Sequence, residues 1–254
     1  MAGSFIAILC ATLGTFLVLR RFSLIGDGLA HVTFGGVAVG LFLRVYPMYV
    51  AIPIVMISSL GILKLVEKAR LFGDAAIGIV SSLGIACGIL LASAAGGFNI
   101  DLFSYLFGNI LAISTAEVIS SILLSLVLIF VIWFYYHELL SITFDEESAR
   151  ASGIKTKTIN GILVLLTSLT VVLAMRVVGI MLISSLLILP PVTALQVARG
   201  FKMTIIIASV SGVVSVILGI FLSLVLDLPT GATIVILNFL FFMGSFIFGK
   251  FLAK

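Results

Sequence analysis

The sequence predicts an all-α, polytopic membrane protein: one transmembrane bundle of eight or nine spanning helices, covering residues 1–254. Three observations carry this. Apolar segments of about 20 residues, the length that crosses a bilayer core, recur from end to end. Of the 254 residues 62% are hydrophobic and 9% charged, whereas a soluble domain carries about a quarter charged residues. The basic residues gather at alternate segment ends. The longest polar interval, residues 141–157, leaves no room for a soluble domain.

Taken in order, nine spans are expected at residues 2–19, 22–45, 48–66, 75–95, 117–136, 158–175, 178–197, 204–226 and 232–248. The first is followed by Arg20-Arg21 rather than by a small-residue cleavage site, so it reads as a span and not as a cleavable signal. With the loop after this span in the cytoplasm, twelve of the fourteen Lys and Arg residues fall on the cytoplasmic side, and Arg44 and Arg176 fall outside. That bias predicts an outer N-terminus and a cytoplasmic C-terminus. The net charge of +4 is therefore loop charge, scattered singly and in pairs, and no nucleic-acid footprint. Cys10 and Cys87 sit inside apolar segments as small core residues, with no disulfide framework or thiolate metal site in view.

The second segment carries the chemistry. It reads Ser23-Leu-Ile-Gly-Asp-Gly-Leu-Ala-His31 and runs on through Gly35, Gly36 and Gly40. Asp27 and His31 stand four residues apart, so on a helix they share one face. A carboxylate and an imidazole so placed suit a divalent cation. Ionisable groups inside lipid are costly and usually face a pore or a partner. A helix over residues 22–45 is about 36 Å long, and His31 lies about 13 Å from its cytoplasmic end, near mid-membrane. The alternative is that the two side chains pair with each other and pack helices. Gly36 and Gly40 form a GxxxG pair that admits a close helix neighbour, and Gly84 and Gly88 repeat the spacing.

Other stretches have smaller roles. Residues 95–101 break the apolar pattern. Residues 102–111 are too short to span and predict an interfacial or re-entrant helix capped by Asp101. Residues 137–157 predict a two-to-three-turn cytoplasmic helix capped by Thr143 or Asp145 and stopped at Gly153, a rigid knob for a cytoplasmic partner. His137-Glu138 begins an HExxH pattern that fails, because position 141 is Ser. Pro190-Pro191 bends the seventh span, as a gate or as a plain kink. Ser184, Ser185 and Thr193 are at hand for the freed carbonyls. Asn160, Gln196 and Asn238 read as inter-helix hydrogen bonders.

Two ligands fall short of the four that zinc usually takes. The economical completion is a two-fold homodimer in which each copy contributes Asp27 and His31 to one site. Two oxygens and two nitrogens suit Zn²⁺ or Mn²⁺ and not Mg²⁺ or Ca²⁺. No P-loop is present, so uphill transport would draw on a separate ATPase.

Four ordered motifs carry a family resemblance: Phe16-Leu-Val-Leu-Arg-Arg-Phe-Ser-Leu-Ile-Gly-Asp-Gly-Leu-Ala-His31, Asp101-Leu-Phe-Ser-Tyr-Leu-Phe-Gly108, Phe144-Asp-Glu-Glu-Ser-Ala-Arg-Ala-Ser-Gly153 and Leu187-Leu-Ile-Leu-Pro-Pro-Val-Thr-Ala194. Over nearly its whole length the chain resembles the ABC-3 family, permease subunits of bacterial ABC importers for zinc, manganese and iron, and is most similar to the zinc-uptake permeases. The resemblance implies a helical bundle related to the vitamin B12 importer permease. It also implies a homodimer in the bacterial plasma membrane, two cytoplasmic ATPase subunits and an extracellular metal-binding lipoprotein. Asp27 and His31 match the family's metal positions. Phe144, Asp145, Glu146, Glu147, Ala149 and Gly153 match the coupling helix that docks on the ATPase. The chain itself is then a transport subunit and not an enzyme, with no permanently bound cofactor and Zn²⁺ or Mn²⁺ as cargo. Two departures stand out: Ala30 precedes His31 where many members have Ser, and Gly35 stands at a proline position.

Two rivals remain at the level of sequence. A permease of the same fold could carry a metal chelate such as a siderophore or cobalamin, which needs a wide apolar path rather than a charged pair. A non-transport scaffold or enzyme would need a partner surface or a nucleophile constellation.

Overall fold

The computed structural model describes residues 2–69, 72–94 and 115–252. The expected helix at 102–111 and its cap Asp101 lie outside them. The described residues form eleven helices: α1 (Ala2–Leu19), α2 (Ile25–Phe42), α3 (Pro47–Ala69), α4 (Gly73–Ala94), α5 (Thr115–Phe134), α6 (Tyr136–Phe144), α7 (Glu146–Ala151), α8 (Thr156–Val178), α9 (Ile180–Val197), α10 (Phe201–Leu226) and α11 (Thr230–Leu252).

Eight of these helices are long and apolar enough to cross a membrane. The remaining expected span, the seventh, at 178–197, is α9, whose apolar part, Leu182–Val197, is shorter. It begins at Gly179, where φ 88° and ψ 151° separate it from α8.

Burial sorts the helices into two sets. Most of α1, α2 and the Thr156–Met175 part of α8 is inside, with 61%, 72% and 72% of residues buried. Ile183, Leu186 and Leu187 of α9 are buried with them. The long helices α3, α4, α5, α10 and α11 are 17–28% buried and expose Ile57, Leu83, Phe130, Phe221 and Ile247. Helices that bond all their backbone groups internally and turn apolar side chains outward are what hydrocarbon permits.

The second span is shorter than its hydropathy suggests. It was expected over residues 22–45, but α2 has 18 residues, about 27 Å. Both boundaries are set by left-handed residues that are not glycine. Arg21 (φ 59°) ends α1 and Arg44 (φ 56°) ends α2. At each end a pair of reverse bonds closes the last turn: Phe22 N–H to the Leu17 carbonyl and Arg21 N–H to Val18, then Val45 N–H to Gly40 and Arg44 N–H to Leu41. This is the Schellman arrangement, which glycine usually occupies. With arginine in that place, the sequence carries no visible stop.

Close helix contacts hold α2 in position. A Cβ at Gly35 would fall 2.6 Å from the Gly84 carbonyl oxygen of α4, and a Cβ at Gly84 would fall 2.7 Å from Val32 Cα. The Gly36 and Gly40 positions face Ala51 and Pro47 of α3 at 2.8 and 2.7 Å. The small-residue spacings therefore do bring helices into backbone contact.

Two long-range contacts each join segment ends that alternating spans place together at one end of the bundle. Arg20, after α1, bonds Glu146 of α7. Tyr46, before α3, donates its hydroxyl to Glu117 Oε1 of α5 at 3.1 Å.

Candidate functional site

Asp27 lies in the first turn of α2 and His31 one turn on. Between Ile25 and Ala38 every residue of the helix is buried except these two. Their side chains are 49% and 28% exposed, with Asp27 Oδ2 3.5 Å from His31 Nε2. The other carboxylate oxygen, Oδ1, accepts a 2.8 Å hydrogen bond from Ser184 Oγ of α9. Three side chains from two helices thus converge on the one open strip of an otherwise enclosed helix. Among the described residues no group of three or more His, Cys, Asp or Glu lies together. Glu117 and Asp227 are elsewhere, Glu117 bonded to Tyr46 and Asp227 ending α10 with φ 52°. One copy of the chain therefore offers a partial ligand set, an oxygen and a nitrogen on the same face.

The residues expected to dock an ATPase divide into two kinds. Asp145 adopts an extended conformation between α6 and α7, and its Oδ1 accepts from Ser148 N–H at 2.9 Å, so it caps α7. Thr143 instead donates to the Leu139 carbonyl. Gly153 (φ 89°) closes the other end, with Ile154 N–H bonded to the Ala149 carbonyl and Gly153 N–H to Arg150. At six residues, α7 is shorter than the expected two to three turns, because the extended Asp145 cuts it from α6. Phe144, Asp145, Glu147 and Gly153 are exposed. Ala149 is buried, and Glu146 turns inward.

Glu146 closes a ring with Arg20 and Asn160. Arg20 Nη2 donates to Glu146 Oε2 at 2.8 Å, Arg20 Nη1 donates to Asn160 Oδ1, and Asn160 Nδ2 donates to Glu146 Oε1 at 3.1 Å. Arg20 is nearly enclosed, its side chain 9% exposed. Burial pulls its guanidinium below the ordinary value, and the charge and hydrogen bond of Glu146 push it back up. A cavity of about 460 Å³ opens beside the ring and includes Lys68, Arg150 and Lys157 in its lining, but not Asp27 or His31. Phe144 meets Phe201 of α10 edge-on at 5.9 Å, and Phe201 also packs on Phe16 and Tyr136. The knob is thus seated on α1, α8 and α10 while its outer face stays open.

Several sequence readings find other places. Ser184 serves Asp27 and not the carbonyls freed by Pro190-Pro191, and Ser185 Oγ and Thr193 Oγ1 are buried without a partner among the described residues. Asn160 bonds between helices as expected, whereas the side-chain nitrogen of Asn238 has no partner there. Cys10 is buried but Cys87 is exposed. His137 is exposed on α6. The roles of Ser184, Arg20 and Glu146 had no local signal, since their partners are 157 and 126 residues away.

The family model for the ABC 3 transport family matches residues 1–249. Among curated relatives, a manganese transport system membrane protein, MntC, of Halalkalibacterium halodurans is 33% identical over 247 residues, 97% of this chain and 85% of that protein. The high-affinity zinc uptake system membrane protein ZnuB of Haemophilus influenzae is 32% identical over 247 residues, 97% of this chain and 95% of that protein. Among solved structures, PsaBC from Streptococcus pneumoniae in complex with Fab superposes with a TM-score of 0.86 at 32% identity, covering 96% of this chain and 88% of that one. A metal-chelate type ABC transporter in an inward-facing conformation gives a TM-score of 0.69 at 16% identity, over 96% and 84% of the two chains, a likeness of fold alone.

Proposed function

The chain belongs to the ABC 3 transport family, and from that premise we propose that it is the membrane-spanning permease subunit of an ATP-binding-cassette importer for a divalent transition-metal ion, zinc first and manganese next. It works as a homodimer in the bacterial plasma membrane, N-terminus outside and C-terminus in the cytoplasm. Two cytoplasmic ATPase subunits supply the energy and an extracellular lipoprotein delivers the ion. Curated relatives named for manganese and for zinc transport support the cargo class.

The observation that carries the reading is the open strip of α2. A helix that buries every other residue from Ile25 to Ala38 leaves Asp27 and His31 unburied. Two copies related by a two-fold axis would bring two carboxylates and two imidazoles to one ion. The 3.5 Å between Asp27 Oδ2 and His31 Nε2 is within the span of one metal ion with bonds of about 2.1 Å. A chelate carrier would not need this charged pair.

The ion passes from the delivery protein to the shared site and leaves inward when the ATPase moves the helices. The exposed Phe144, Asp145, Glu147 and Gly153 form the docking face, and Ala149 and Glu146 seat it. Asp27→Ala and His31→Ala, each in the assembled transporter, test this. Uptake of ⁶⁵Zn²⁺ is expected to be lost in both while the ATPase still co-purifies. Uptake at the wild-type rate by either variant would remove the site.

A further inference from the structure

Ser184 meets Asp27 next to a close approach of α9 to α2. One turn along α9, Leu187 fills the space left by Gly26: a Cβ there would stand 2.4 Å from Leu187 Cδ1. The Leu187 carbonyl oxygen also meets Gly14 of α1 so closely that a Cβ would fall 2.0 Å from it. Leu186 and Leu187 are fully enclosed. The 2.8 Å bond from Ser184 Oγ to Asp27 Oδ1 therefore lies beside a close-packed contact of α9 with α2 and α1.

The bond divides the carboxylate. Oδ1 is held by the hydroxyl, and Oδ2 faces His31 at 3.5 Å. A carboxylate chelates a metal through both oxygens only when both are free to turn toward it. Zinc is satisfied with four ligands and one oxygen per carboxylate. Manganese accepts carboxylate and water oxygens in a larger, octahedral set. Hydrogen bonds to a ligating carboxylate orient it and tune the ion it takes.

We propose that Ser184 is a specificity-determining residue, which holds Asp27 to one ligating oxygen and so favours the four-coordinate ion over the six-coordinate one. This rests on Asp27 and His31 being the transport site. The side chain acts through Asp27 and is a positioning residue. Its hydroxyl needs only to donate, and an ionised carboxylate needs only to accept.

The test uses the assembled transporter in cells supplied with ⁶⁵Zn²⁺ and ⁵⁴Mn²⁺ together, reading the ratio of the two uptake rates. Ser184→Ala is expected to lower the zinc-to-manganese ratio by up to roughly tenfold, the size reached if a loss of about tenfold in affinity for want of an outer hydrogen bond falls on zinc alone. Ser184→Thr, which keeps the donor, is expected to restore it. If the alanine variant fails to assemble, Ser184→Cys, a weaker donor of similar size, reads the same ratio. An unchanged ratio, or an equal fall for both metals, overturns the assignment of Ser184. Asp27→Ala is run beside it: full uptake there would sink the transport site itself, whatever Ser184 does.

Discussion

Arg20 and Glu146 are 126 residues apart in the chain and 2.8 Å apart in the fold. One follows α1 and leads into the helix that holds Asp27. The other belongs to the short helix α7. Asn160 of α8 completes the ring, so three elements meet in one set of hydrogen bonds. A guanidinium is suited to this because its flat fork serves two acceptors at once.

Arg20→Met is expected to lower stability by about 2 kcal/mol, because it leaves Glu146 Oε2 and Asn160 Oδ1 without the donor Arg20 supplies. The thermal midpoint of the purified complex checks it. Arg20→Lys should recover part of the loss, since a single ammonium cannot copy the fork.

Asp145→Ala removes the cap of α7 and should cost about 1 kcal/mol of local stability. The exposed face of the knob then loses its fixed shape. Pull-down of the proposed ATPase partner is expected to weaken, while Asp145→Asn, also a good cap, should retain most of it.

Gly35→Ala places a methyl 2.6 Å from the Gly84 carbonyl oxygen, where backbone rather than a side chain must give way. Overpacking of this kind costs about 1–3 kcal/mol. A lowered thermal midpoint is expected. Alanine at Gly61 of α3, where nothing lies within 4 Å, is the control and should hold or slightly raise the midpoint.

If two copies share the site, their open strips face each other. A cysteine at His31, in a chain whose exposed Cys87 has been replaced, should be joined to its counterpart by a short bismaleimide and migrate as a dimer. A cysteine at Leu83, on the exposed face of α4, should not.

Much of this architecture was legible in the pattern of residues, because lipid leaves the backbone few choices. Apolar runs of spanning length became helices, and Asp27 and His31 share a face because four residues make about one helical turn. The limits of α2 were not legible. Arg21 and Arg44 end helices in a conformation that a reader expects of glycine. Ser184 was read as a helper for proline carbonyls, the nearest groups in sequence, but helix packing gave it to Asp27. Glu146 was grouped with its exposed neighbours because the contact that turns it inward lies on another helix.

The glycine contacts of α2 have a mechanical consequence. With backbone against backbone at Gly35 and Gly84, and again at Gly36 and Ala51, there is no cushion of side chains to deform. Close-packed protein shifts between discrete arrangements and does not yield gradually. Helices α2, α3 and α4 should therefore swing as one stiff plate. Under the proposed transport role, such a swing would carry Asp27 and His31 as one unit with α3 and α4.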